Sequence, residues 1–156
     1  MASPIDTSNP HNILLWSTDQ IVDADHVCGS VVIQYGMLVE LYDAGSGVNK
    51  WRPHNAAAGA MEMAVALNEP ELNQPYNGSY VIGSLMRVRR LKTGDKFYGI
   101  LVSGATVANS GFMQSNGDGK MKASTLTTAA GGVARLKCED NPGAVGADTY
   151  VRTLVI

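Results

Sequence analysis

Residues 91–122, LKTGDKFYGILVSGATVANSGFMQSNGDGKMK, interrupt short apolar runs with Gly, Asn and Asp so often that only strands joined by tight turns fit the pattern. Phe97 to Val102 form an apolar and aromatic run bounded by Gly94-Asp95 and Gly104, and Phe112 and Met113 follow Gly111. Asn116-Gly117-Asp118-Gly119 then supplies the backbone freedom a hairpin turn needs. Two or three strands therefore lie back to back here. The stretch carries no reactive centre and reads as scaffold.

The same texture continues elsewhere. Met37, Val39 and Leu41 alternate with Leu38, Glu40 and Tyr42, giving a strand with both faces partly covered, and the turn at 43–47 returns the chain to Trp51 and Pro53. Ile13 to Trp16 and Val27 to Ile33 read as earlier strands, the second bent at Gly29. Residues 56–67 hold helix-forming Ala, Met and Glu, but Met61, Met63, Val65 and Leu67 repeat at a period of 2, which predicts a strand. Residues 125–130 fit either a short helix or a loop. Ala134, Leu136 and Cys138, and then 150–156, give the last two strands. Seventeen Gly and only 17% charged residues argue against a helical bundle. The expected fold is all-β: a single compact β-barrel or sandwich of roughly eight to ten short strands at 13–156. An extended N-terminal arm, 1–12, precedes it, with Pro4, Ile5 and Pro10 in a segment of no periodicity.

The turn and strand pattern carries a family resemblance. GDKFYGILVSGATVANSGFMQSNGDGKMK resembles the capsid decoration proteins, or cement proteins, of tailed bacteriophages, in which a Gly-Asp and a strand precede a G..VA.G..L.S.GDG.L segment. Gly36-Met37-Leu38-Val39-Glu40-Leu41 is similar to the family's GMLVEL strand, and the ending from Gly132 onward is similar to the family's ending. The resemblance spans about 13–156 and contains no signature of chemistry. It implies a virion protein, made in the host cytoplasm, that sits on the outer surface of the capsid. Its partner would be the major capsid protein, and it would self-associate, as a homotrimer in preference to a dimer.

Charge and motifs restrict other functions. Twelve Lys and Arg against 14 Asp and Glu give a net charge of −2, so no global field draws this chain to nucleic acid. The first residues lack a basic and then apolar leader, and no long uncharged apolar run follows; the chain is expected to be soluble and unsecreted, with no membrane partner. Cys28 and Cys138 fit no metal spacing and are expected as buried thiols, a disulfide being the alternative. No serine has the Gly-x-Ser-x-Gly setting, and His11, His26 and His54 are isolated, each read as a loop or turn histidine. Asn116 to Gly119 lacks the closing carboxylate of a calcium loop, and Gly45-Ser-Gly47 lacks the third glycine of a dinucleotide fingerprint. Asn77-Gly78-Ser79 matches a glycosylation sequon by chance. No enzyme activity and no cofactor are expected.

The residues assigned to capsid or protomer contact are Pro4, Ile5 and Pro10 in the arm, Pro70, Pro75 and Tyr76 in the loop at 68–80, and Arg87 and Arg89. Extended Pro-rich backbone can lie along another chain's edge strand. Arg87 and Arg89 fall on one face of a strand, opposite Met86 and Val88, and are expected on a charged exterior. The alternative function is a small β-barrel ligand- or carbohydrate-binding module, with Trp16, Trp51 and the tyrosines as a stacking face.

Overall fold

A computed structural model describes residues 13–16, 22–57, 64–69, 72–124 and 136–156. Fifteen strands occur among the described residues. The first half contributes β1 (Leu14–Trp16), β2 (Val22–Asp23), β3 (Ile33–Gln34), β4 (Val39–Asp43), β5 (Asn49–Pro53), β6 (Ala64–Ala66), β7 (Ser79–Tyr80) and β8 (Val88–Arg90). The second half contributes β9 (Lys96–Leu101), β10 (Thr106–Val107), β11 (Phe112–Ser115), β12 (Met121–Ala123), β13 (Leu136–Cys138), β14 (Gly143–Ala144) and β15 (Thr149–Val155). The all-β expectation is met, with more strands than the eight to ten read from the sequence. Turns and bends hold ten of the fifteen strands to two or three residues; the run at 27–33, read as one bent strand, resolves into isolated bridges at Val27 and Cys28 followed by β3.

Five strands of the second half close on themselves in the order β9-β12-β11-β13-β15, and β15 pairs back onto β9. Within this ring only the β9–β12 contact is parallel, Met121 against Leu101. The β9–β15 ladder is the longest, running from Thr149↔Leu101 to Leu154↔Lys96. A barrel this narrow has little lumen, and Gly99 makes room in it: a side chain there would collide with Met121 and Phe97, both fully buried. β1 lies against the free part of the β9 edge, Leu14 opposite Phe97.

The first half packs outside this barrel as three small sheets: β2-β8-β6, β3-β7 and the β4-β5 hairpin. One cluster of buried side chains, from Ile13 through Trp51, Val88 and Phe97 to Val155, runs through both halves. The hairpin at 116–120 is where they lock together. Gly117 and Gly119 both have positive φ, as the Asn-Gly-Asp-Gly reading requires, and Asn116 N donates to Lys120 O. The loop reaches over the β4-β5 pair: Leu38 N donates to Gly119 O at 2.7 Å, and Gly119 N donates to His54 O at 3.1 Å.

Cys28 and Cys138 are both buried and both free, as expected, and form no disulfide. Burial raises both thiol pKa values. Among the described residues no helix is long and apolar enough to cross a membrane.

Candidate interaction surface

Arg89 is not on the exterior. Its side chain is fully buried, with Nη2 3.3 Å from Asp95 Oδ2, and Asp95 is equally buried. The alternation does place Arg89 opposite Val88, but β8 is the middle strand of its sheet and the turn at 92–95 folds back over its outer face. Asp95 Oδ2 also accepts from Lys92 N at 2.9 Å, so the turn holds the carboxylate in place for the guanidinium. The sequence signal was the acid in the turn six residues on; a lone strand period cannot show it. Arg87 is partly exposed and faces Glu69, Nε to Oε1 3.5 Å.

Pro75 is exposed, whereas Tyr76 is half-buried and packs its ring edge-on against Tyr150, centroids 5.2 Å apart. Tyr150 Oη donates to Tyr35 O at 2.8 Å and has Tyr76 O at 3.1 Å. Burial pushes its pKa up to about 12. Tyr76 therefore anchors its loop to the barrel strand β15. Pro4, Ile5, Pro10 and Pro70 lie outside the described residues, as do Met61 and Met63 and the run at 125–130.

The stacking face of the binding-module reading is not carried by Trp51, which is buried with its ring under Arg90 and edge-on to His26. Tyr35, Tyr80 and Tyr98 are also buried. Tyr80 Oη donates to Leu67 O at 2.7 Å and accepts from Arg87 N, and burial takes its pKa to about 12.

His54, read as a loop histidine, is buried, hydrogen-bonded through Nδ1 and with a carboxylate near Nε2. Nδ1 lies 2.7 Å from Ser115 Oγ and Nε2 lies 3.6 Å from Glu40 Oε2. Ser115 Oγ also accepts from Gly117 N at 3.1 Å, and Glu40 accepts from Arg52 Nε at 2.8 Å. The three residue types are those of a hydrolytic relay, but Ser115 and His54 are sealed inside and no substrate reaches the hydroxyl in this arrangement. The chain of contacts ties the 116–120 hairpin to β4 and β5. Among the described residues no group of three or more His, Cys, Asp or Glu converges as metal ligands do.

What stands open is an apolar surface. Val31 (48% exposed), Val32 (50%), Val81 (62%), Ile82 (58%) and Leu85 (64%) all face solvent. Val32 and Val81 flank the antiparallel pair Ile33↔Tyr80 at the end where that short ladder stops, and Leu85 bridges to Val27. Cys28 N donates to Ser84 O at 2.9 Å and Gly83 N to Cys28 O at 2.8 Å, so the two segments are pinned side by side. Ser84 N closes a turn onto Val81 O, with Gly83 at φ +87° and Ile82 at the apex. The patch is therefore built on fixed backbone. The sequence held a signal for it that strand alternation hid: no Asp, Glu, Lys or Arg occurs at 27–39 or at 72–86. Exposed aliphatic residues gathered this way make the surface a candidate interaction site.

No protein-family model matches this sequence, and no curated protein matches it. Among solved structures, the crystal structure of the head fiber gp8.5 N base in bacteriophage phi29 is similar in fold. The TM-score is 0.58 at 7% sequence identity, over 87% of this chain and 95% of that one.

Proposed function

We propose that this chain is a structural protein of a bacteriophage head, bound to the outer capsid surface, where it reinforces contacts between major capsid protein subunits. The observation that supports the reading most is the fold likeness to a head fiber base, which extends over nearly the whole of both chains. The turn and strand pattern resembling capsid decoration proteins supports it independently. A rigid β domain that bridges neighbouring subunits makes their separation cost its contacts as well. Binding to the assembled shell and not to free subunits stabilises the shell by mass action.

In this reading the arm at 1–12 and the loop around Pro75 face the capsid, and the protein acts as an oligomer matched to the local symmetry of the head, a trimer in preference to a dimer. The test is co-sedimentation of the purified protein with expanded heads that lack it. Saturable binding at a fixed ratio to the major capsid protein, with raised heat resistance of the heads, is the expected result. Removal of residues 1–12 is expected to weaken binding with the thermal melt of the free protein unchanged. Heads that sediment without the protein would overturn the proposal.

A further inference from the structure

We infer that the patch formed by Val31, Val32, Val81, Ile82 and Leu85 is the contact through which copies of this chain associate with one another. The proposal deepens the structural reading above by assigning its self-association to a surface, and it concerns the free protein in solution.

Charge selects the occupant. Both segments that carry the patch lack Asp, Glu, Lys and Arg, and at the Leu85 end the next charged side chain along the chain, Arg87, faces Glu69. A charged partner surface would lose its hydration here and gain no counter-charge. A second copy presents the same neutral aliphatic face, so the match holds by symmetry, and the chain's net charge of −2 is kept away from the contact.

Size and rigidity agree with this. Five aliphatic side chains, each about half exposed or more, offer roughly a few hundred Å² of apolar area. That is the scale of the apolar centre of a standard interface, which covers about 800 Å² on each partner. The backbone bonds between Cys28 and the 83–84 turn fix the patch before association, so little ordering entropy is lost on contact.

The experiment is the mass of the free protein by light scattering after gel filtration, over a hundredfold range of concentration, for the wild type and for Ile82→Asp and Leu85→Asp. Both positions are exposed in the single chain, and circular dichroism melts check that each variant folds. The wild type is expected to be an oligomer and each variant to associate at least about 100-fold more weakly, as for loss of a central interface residue. Ile82→Cys is expected to form a disulfide-linked pair under mild oxidation. A wild type that remains monomeric, or folded variants that keep the wild-type mass, would overturn the assignment. Variants that keep the oligomer but no longer bind heads would make the patch a capsid contact instead. A monomer that still binds heads would leave the proposed function standing and remove this inference alone; an oligomer that ignores heads would do the reverse.

Discussion

Arg89 and Asp95 meet in the interior, where neither charge has water to fall back on. Removing one partner leaves the other buried and uncompensated, so Arg89→Ala is expected to cost about 3–5 kcal/mol in a urea titration. A loss below about 1 kcal/mol would mean that the remaining donors around Asp95, the Lys92 amide among them, satisfy the carboxylate. His54 makes a pH prediction. Burial lowers its pKa from 6.5, with Glu40 opposing and Arg52 adding to the effect. The folded state thus binds the proton less readily than the unfolded chain. Its contribution to stability is fully present above pH 6.5 and declines as the pH falls below that value. The melting temperature of the wild type is expected to drop more between pH 7.5 and pH 5 than that of His54→Gln; equal slopes would remove His54 as the acid-sensitive group.

At the scale of elements, the 115–121 hairpin shows how local and distant constraints combine. Gly119 has φ +80°, and a methyl group there would sit 3.0 Å from Pro53 Cβ and 3.1 Å from Leu38 O. Gly45, at the tip of the β4-β5 hairpin, has φ +105° with open space around it. Gly45→Ala is expected to cost only the left-handed backbone penalty, about 1–2 kcal/mol, and Gly119→Ala clearly more. Equal losses in thermal unfolding would show that the hairpin does not press on β4. The turn itself was legible because Asn-Gly-Asp-Gly dictates its own conformation. The strands at 39–43, 49–53, 96–101 and 149–155 were legible because apolar runs and turn residues bound them closely. Arg89 was misplaced because period-2 reasoning assumes one wet face, and a central strand under a folded-back turn has none. The buried role of His54 depends on Ser115, 61 positions away, which no local pattern could supply.

For the whole molecule, the class of fold was legible and its closure was not, since the parallel β9–β12 contact and the β9–β15 ladder join segments that sequence spacing leaves unrelated. The apolar patch was written in the sequence as two uncharged runs, but only the β3–β7 register brings them together. The closing strand also sets an order of events during synthesis. β9 must wait for β15 before the ring is complete, and the β9 edge that receives β1 is made long after β1 itself. The first half of the chain therefore leaves the ribosome without the barrel it packs on, so its own small sheets, which need only first-half strands, precede the surface that covers their inner faces. Pairings of this separation are slow, and the interval leaves side chains that end up in the shared core, Trp51 and Val88 among them, uncovered among many nascent copies.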